Sequence, residues 1–325
     1  MQKTEHFQLN TWAPEDFVDL EQMNANFTAL DNALYTRQRA GSHTQALAAA
    51  ARGELANLML ARAHAGADVS FAESTLLETF SDLSGIASYE KVICAGGPHF
   101  AASGASLTLT VNYNDGGNSY PRKTIVAPSG TTTLATLTAG GWFSTQQLTI
   151  KYTAGGTSVA FGVYQKGTLL GQSETLAIAS KSDKTTLNIP LVAAIDPNVP
   201  CELRAVSTGS GLGLYIWEMS LATTETVHTS GQLVTAAKTI TADALRLYLR
   251  YTGTAPTVSY RVGSGSFTAI TPTQTRAGKT HGGAACTLAI YDIAPQTAMV
   301  NAAFALKLAL PAADTHVYDY CAAAI

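Results

Sequence analysis

Residues 148–163 read LTIKYTAGGTSVAFGV, and residues 247–262 read LYLRYTGTAPTVSYRV, a related pattern at an offset of 99 residues without a gap. Each copy contains a run of alternating apolar and polar residues, a short turn and a second apolar run. Alternation with a period of two predicts a β-strand with one buried face, and Gly-rich turns between such runs predict successive strands. We therefore expect two related units built from antiparallel strands.

The later strands of the two copies also follow in matching order. Leu187-Asn-Ile189 corresponds to Leu288-Ala-Ile290, and Tyr215-Ile-Trp217 falls opposite Tyr318-Asp-Tyr320. The pattern predicts two tandem antiparallel β-sandwiches, residues 70–222 and 223–325, of either jelly-roll or immunoglobulin-like type. The aromatic residues that alternate like core residues in the repeat are expected to be buried. They are Tyr152, Phe161, Tyr251 and Tyr260.

The first 69 residues have a different, helical pattern. Residues 1–35 are predicted to form an extended hook and a first helix, and residues 36–69 a helical stalk and a linker. The apolar positions recur at the spacing of a coiled-coil seam, which lets identical helices pack together. A homotrimeric coiled coil is the favoured arrangement, and an antiparallel hairpin that turns at Gly41 is the alternative. The predicted seam consists of Met23, Phe27, Leu30, Leu34, Leu47, Leu55 and Leu58.

The N-terminal segment also carries a recognisable motif. Leu9, Asn10, Trp12 and Pro14 precede Asp16 and Val18, and the motif continues through Asn24, Asn26, Phe27, Leu30 and Asp31. This segment, about a tenth of the chain, resembles the attachment segment of bacteriophage tail-fibre and receptor-binding proteins. The resemblance implies a viral protein of the virion tail, made in the bacterial cytoplasm and docked on baseplate or tail-tip proteins. The residues expected to dock are Phe7, Leu9, Trp12, Phe17, Val18 and Leu20.

Composition excludes several classes of function. Charged residues make up 13% of the 325-residue chain and the net charge is −3, which gives no electrostatic basis for binding nucleic acid or an anionic membrane. No run of 18 apolar residues is present, so no membrane insertion is expected. The N-terminus lacks the basic and then apolar layout of a secretory signal peptide.

No residue pattern indicates catalysis or a cofactor. Cys94, Cys201, Cys286 and Cys321 are far apart in sequence, and the histidines do not pair at metal-ligand spacing, so no metal is expected. The Asn and Asp residues of segment 112–118 could offer oxygen ligands to calcium, but they are also typical of a hairpin turn. No two carboxylates can be nominated as a glycosidase pair. The chain is therefore expected not to be an enzyme.

The aromatic residues carry the binding hypothesis, because exposed Trp, Tyr and Phe rings offer an apolar face to the C–H faces of sugars. The candidate glycan contacts are Trp142, Tyr248, Phe267, Tyr291 and Tyr318. Together with the resemblance, they predict a tail fibre or receptor-binding protein, an adhesin that recognises a host cell-surface polysaccharide. Two alternatives remain open: a structural baseplate or fibre-connector protein, and a glycan depolymerase. A tailocin or injection-system fibre would have the same sequence features.

Overall fold

The computed structural model describes residues 2–3, 10–11, 25–38, 40–41, 75–111, 123–127, 130–155, 158–176, 185–208, 212–295 and 297–324. Over these residues the chain is mostly β, with several antiparallel sheets and one helix. This confirms the predicted fold class at that level. The chain divides into two compact regions, Met1–Val69 and Ser70–Ile325.

The N-terminal region contains a two-stranded pairing of β1 (Gln2–Lys3) with β2 (Asn10–Thr11), and the helix α1 (residues 25–38). Within α1, the side chains of Phe27, Leu30 and Leu34 are all exposed. Several predicted residues lie outside the described residues. They are the docking residues Phe7, Leu9, Trp12, Phe17, Val18 and Leu20, and the seam residues Met23, Leu47, Leu55 and Leu58.

The C-terminal region contains all of the larger sheets. Two short strands come first, β3 (Thr75–Glu78) and β4 (Ile86–Glu90). Nine strands follow: β5 (Leu107–Val111), β6 (Lys123–Ala127), β7 (Gly130–Ala139), β8 (Trp142–Gly155), β9 (Ser158–Gln165), β10 (Thr168–Gln172), β11 (Thr185–Asn188), β12 (Cys201–Thr208) and β13 (Leu212–Thr226). The last nine are β14 (Gly231–Thr235), β15 (Lys238–Ala242), β16 (Leu245–Thr252), β17 (Thr257–Val262), β18 (Thr268–Ile270), β19 (Gln274–Lys279), β20 (Ala285–Ile293), β21 (Met299–Leu310) and β22 (His316–Ala324).

Strands β5–β13 form two sheets, which we call the inserted sheet pair. One sheet has the order β10-β9-β12-β7-β5 and the other has the order β11-β8-β13-β6. Leu148 and Ile150 of β8 belong to the same buried cluster as Val159 and Phe161 of β9, and all four are fully buried. Because β8 and β9 belong to different sheets, this cluster is the core between the sheets, as in a β-sandwich.

The remaining strands form a second pair of sheets, which we call the enclosing sheet pair. Its sheets have the orders β18-β17-β21-β14-β4, with β15 also on β21, and β19-β20-β16-β22-β3. Leu247 and Leu249 of β16 share a second buried cluster with Val258 of β17. The two sheet pairs therefore repeat one arrangement. In the inserted pair β8 lies beside β13 and β9 lies beside β12, and at the corresponding places of the enclosing pair β16 lies beside β22 and β17 lies beside β21.

The strand pairing corrects the predicted boundaries. β3 pairs with β22 and β4 pairs with β14, so both belong to the enclosing sheet pair, and Phe80, Val92 and Cys94 lie in its core. Their assignment to a first sandwich of residues 70–222 was wrong. Alternation identifies a strand but not its partner, and here the partners lie more than a hundred residues away. The inserted sheet pair thus interrupts the enclosing one between β4 and β14.

The two sheet pairs are joined by a polar junction centred on Asn198. Its side-chain Oδ1 accepts a hydrogen bond from the backbone N–H of Cys94 at 2.7 Å, and its Nδ2 donates to the carbonyl of Val92 at 2.8 Å. The phenol of Tyr89 donates to Oδ2 of Asp196 at 2.7 Å, and Oδ1 of Asp196 accepts from the backbone N–H of Asn198. The loop before β12 is therefore attached to the segment after β4.

Candidate functional site

Two of the predicted glycan contacts are buried. Tyr291 is 2% exposed and belongs to the core of the enclosing sheet pair, on the same face of β20 as Ala289 and Ile293. Tyr248 is 4% exposed, although it lies on the face of β16 opposite Leu247. Burial raises the pKa of both phenols above the usual value. Neither ring offers a face to a ligand, so these two assignments were wrong.

The other three candidate rings are half-buried, and each is in contact with a second side chain. The indole of Trp142 meets the ring of His228 edge-on at 5.5 Å between centroids. The guanidinium carbon of Arg261 lies 4.8 Å from the centroid of the Phe267 ring. In both cases a second side chain lies against the ring.

Tyr318 belongs to a small aromatic cluster that sequence spacing does not reveal. Its ring centroid lies 4.2 Å from that of His316, which in turn lies 4.8 Å from that of His99. The Tyr318 hydroxyl and Oγ1 of Thr252 are 3.2 Å apart. The cluster thus joins the start of β22 to the loop after β4.

Each histidine of this cluster is oriented by a glycine carbonyl. Nδ1 of His99 lies 2.7 Å from the carbonyl oxygen of Gly97, and Nε2 of His316 lies 3.1 Å from that of Gly96. Burial lowers the pKa of His316, the carbonyl contact opposes this effect, and the neighbouring His99 lowers the pKa further. Gly97 has a φ of +99°, and a Cβ there would overlap the carbonyl oxygen of Val317, so the loop approaches β22 as only glycine permits.

A second cluster, which the sequence analysis missed, lies on the inserted sheet pair. We call it the Tyr164 cluster, and it comprises Tyr164, Glu202, Arg204 and Thr133. The guanidinium carbon of Arg204 lies 4.6 Å from the centroid of the Tyr164 ring. Nε of Arg204 donates to Oε2 of Glu202 at 2.6 Å, and Oγ1 of Thr133 donates to the same oxygen at 3.1 Å.

The Tyr164 cluster is electrostatically fixed. The hydrogen bond from Arg204 is the largest influence that lowers the pKa of Glu202, and the hydrogen bond from Thr133 acts in the same direction. Glu202 is therefore ionised near neutral pH and holds the guanidinium beside the Tyr164 ring. The pair is partly exposed, with side-chain exposures of 36% for Glu202 and 26% for Arg204. An aromatic ring, a guanidinium and a carboxylate are thus presented together at the surface.

Alternation along β9 could have identified this cluster. Val159, Phe161 and Val163 point into the core, so Tyr164 lies on the opposite face with Gly162. The predicted glycan contacts did not include Tyr164, although it is an aromatic residue on the outer face of a strand whose inner face is fully apolar.

The inserted sheet pair also carries an apolar recess. A cavity of about 550 Å³ is lined by Ser144 and residues 188–194, including Pro190 and Leu191. The adjoining side chain of Val192 is 87% exposed. Pro190 and Ala193 are exposed as well, so the recess has an exposed apolar rim.

The cysteines of the chain are not available for chemistry at the surface. All four cysteines are buried and unpaired, and burial raises the thiol pKa values of Cys94, Cys201 and Cys321 to about 12. Among the described residues, no three His, Cys, Asp or Glu side chains come close enough to hold a metal ion. Within the same residues, no helix has the length and apolar character needed to cross a membrane.

Comparison of the chain with protein-family models and with curated proteins finds no match.

Proposed function

We propose that the chain is the subunit of a homotrimeric tail fibre or receptor-binding protein of a phage or phage-like particle. In this proposal the N-terminal segment attaches to the tail, α1 contributes to a coiled-coil stalk, and the two sheet pairs are β-sandwiches that recognise a host surface glycan. Support comes from the resemblance of the N-terminal segment and from the mostly β architecture that follows it. Three copies of a weak sugar site would gain affinity through avidity.

The observation that carries the proposal is the exposed apolar stripe of α1. Phe27, Leu30 and Leu34 are 62%, 37% and 60% exposed and follow one another at helical spacings of three and four. Full burial of a Phe or Leu side chain stabilises by about 1.5–3 kcal/mol. An isolated helix of this length is marginal in water, so a stripe like this gains most by packing against copies of itself.

The solution mass of the full-length protein tests the oligomer. Light scattering should give about 102 kDa, three times the 34.0 kDa of one chain. Replacing Phe27 and Leu30 with Asp should shift the mass to that of the monomer, whereas replacing the exposed Thr28 with Asp on the same helix should not. A monomeric unmodified protein would refute the stalk.

A structural connector protein is the second candidate, and the recess beside Val192 favours it. In that case the inserted sheet pair would bind another tail protein, and replacing Val192 with Asp would block its incorporation into particles. Binding of the purified protein to host cells separates the two candidates, because a connector would not bind them. A depolymerase is distinguished by the release of reducing ends from envelope polysaccharide.

A further inference from the structure

The five-stranded sheet of the inserted sheet pair has an outer face that crosses all of its strands. Consecutive Cα partners form one row across the sheet: Thr110 of β5, Thr136 of β7, Glu202 of β12, Tyr164 of β9 and Leu169 of β10. The residues next to them in each strand, such as Leu109, Leu137 and Leu203, pack in or against the core. The row therefore points away from the core.

This outer face is polar and accessible at one end and aromatic at the other. Thr108 and Thr138 form a second directly opposed pair beside Thr110 and Thr136, and all four threonines are exposed. A threonine hydroxyl both donates and accepts hydrogen bonds. Neighbouring strands are about 4.8 Å apart, so the row of five partners spans roughly 19 Å. That length suits an extended chain ligand better than a compact one.

Gly162 allows the Tyr164 ring to lie close to the sheet. A Cβ at this position would lie only 2.8 Å from Cε2 of Tyr164 and 3.0 Å from Cδ1 of Leu169. The missing side chain therefore lets the ring and Leu169 cover the backbone of β9. Together with Arg204, which Glu202 holds beside the ring, this makes a rigid platform rather than a mobile surface side chain.

The duplicated fold does not require these residues. At the offset of 99 residues, Tyr164 corresponds to Gly263 and Gly162 to Arg261. Arg261 pairs with Ala305 and the N–H of Gly263 bonds to the carbonyl of Ala303, so Ala305 and Ala303 take the places of Arg204 and Glu202. The core positions are shared by the two copies, but these four outer-face positions carry different residues.

We propose that the outer face formed by the Tyr164 cluster and the threonines Thr108, Thr110, Thr136 and Thr138 binds an uncharged polysaccharide chain. This inference rests on the proposed function and names its binding surface and ligand class. A sugar ring stacks on the platform of Tyr164 and Arg204, and its hydroxyl groups bond to the carboxylate of Glu202. The next sugars of the chain bond to the threonine hydroxyls along the row.

The charge of this face selects the ligand class. Arg204 and Glu202 neutralise each other, and the threonines are uncharged, so the face lacks the cationic cluster that binds phosphate or sulfate polymers. Leu169, at 41% exposed, is the one large exposed apolar side chain of the row, too little for the apolar centre of a protein interface. A hydroxyl-rich neutral polymer matches the donors and acceptors that remain.

The test is binding of the full-length protein to an array of neutral O-chains, neutral capsular chains, acidic capsules and teichoic acids, followed by titration of the best binder. Replacing Tyr164 with Ala should weaken binding at least about tenfold, as for a central aromatic contact. E202Q should weaken it about three- to tenfold without loss of an apolar contact. Replacing Thr136 with Arg should abolish binding, because a long side chain at this position would block the access of the polysaccharide chain to the row.

Two matched variants serve as controls. Phe267→Ala removes a ring that also lies under an arginine, and Tyr318→Ala removes the ring of the histidine cluster. Both should leave the dissociation constant within about twofold. Circular dichroism checks that Y164A is folded. If Y164A is unfolded, T136R still tests the site, because Thr136 is exposed and its replacement does not disturb the core.

The outcomes separate this inference from the proposed function. If the unmodified protein binds a glycan and Y318A or F267A, rather than Y164A and T136R, abolishes binding, the site is wrong and the function stands. If only acidic polymers bind, the ligand class is wrong. If no glycan binds and host cells are not bound either, both the inference and the proposed function are refuted.

Discussion

Replacing Asn198 with Ala should destabilise the C-terminal region by about 2–4 kcal/mol. The substitution removes the side chain that bonds to both the N–H of Cys94 and the carbonyl of Val92. Both of these residues are fully buried, so their backbone groups lose their partners at the edge of a core. A buried group left without a partner costs about 1–3 kcal/mol, and water that enters the partly exposed junction recovers some of this.

Thermal unfolding of the full-length protein measures the effect. For a region of about 250 residues, 1 kcal/mol lowers Tm by roughly 2–4 °C, so a loss of about 5–15 °C is expected. Asn188→Ala is the matched control, because the hydrogen bond that its side chain accepts from Gln147 is exposed and 3.3 Å long. Its Tm should fall by no more than about 2 °C, since such surface substitutions cost about 0.5 kcal/mol or less.

A double-mutant cycle shows whether the junction acts as one network. Tyr89 and Asn198 both bond to Asp196, so the effects of Y89F and N198A should not add. Equal Tm values for N198A and N188A would show that the loop before β12 is not attached to the segment after β4. Asn198 would then not be the link between the two sheet pairs.

Three further predictions concern the enclosing sheet pair. Asp319 is fully buried and accepts a 2.7 Å hydrogen bond from Arg250, so D319N should cost about 3–5 kcal/mol in urea unfolding. D292N at the partly exposed Arg246 pair should cost less, about 1 kcal/mol, and equal costs would contradict the difference in burial. The pKa of His316 is held below its ordinary 6.5, so the folded state resists its protonation. The contribution of the neutral imidazole to the free energy of unfolding is fully present above pH 6.5 and should be lost as the pH drops through the lowered pKa. His316→Asn should reduce the Tm difference between pH 7.5 and pH 5, and an unchanged difference would count against a role for His316. Gly97→Ala should lower Tm more than Gly104→Ala, because both have positive φ but only Gly97 faces a backbone atom.

Much of the fold could be predicted because the deciding signal is local. Alternation at Leu148, Ile150, Val159 and Phe161 marks the inner faces of β8 and β9, and all four side chains are fully buried. Of the four repeat aromatics, Phe161 and Tyr251 are buried and Tyr260 packs against the core, while the Tyr152 side chain lies outside the described residues. The sequences of β3 and β4 contain no such local pattern that shows which strands they pair with.

The candidate site was less predictable, because it depends on contacts across strands. Tyr164 and Arg204 are 40 residues apart, and His99 and His316 are separated by most of the two sheet pairs. Register decides which outer-face residues become neighbours, and register is set by pairing that a single sequence does not display. Tyr291 lies on the inner face of β20 with Ala289 and Ile293, and Tyr248 is buried although it lies on the outer face of β16, so neither predicted contact is available to a ligand.

The topology of the insertion brings both of its ends to one edge of the enclosing sheet pair. Glu90 at the end of β4 and Gln232 in β14 are direct Cα partners, so the chain leaves and re-enters the enclosing sheet at neighbouring points. Glu225 near the end of the inserted strands accepts hydrogen bonds from the backbone of Gly104 and Ala105 near their start. Both ends of the insertion are therefore held close together, and its described strands lie in sheets separate from those of the enclosing pair. The outer-face residues Tyr164, Glu202 and Arg204 accordingly have no counterparts in the second copy, where Gly263, Ala303 and Ala305 take their places.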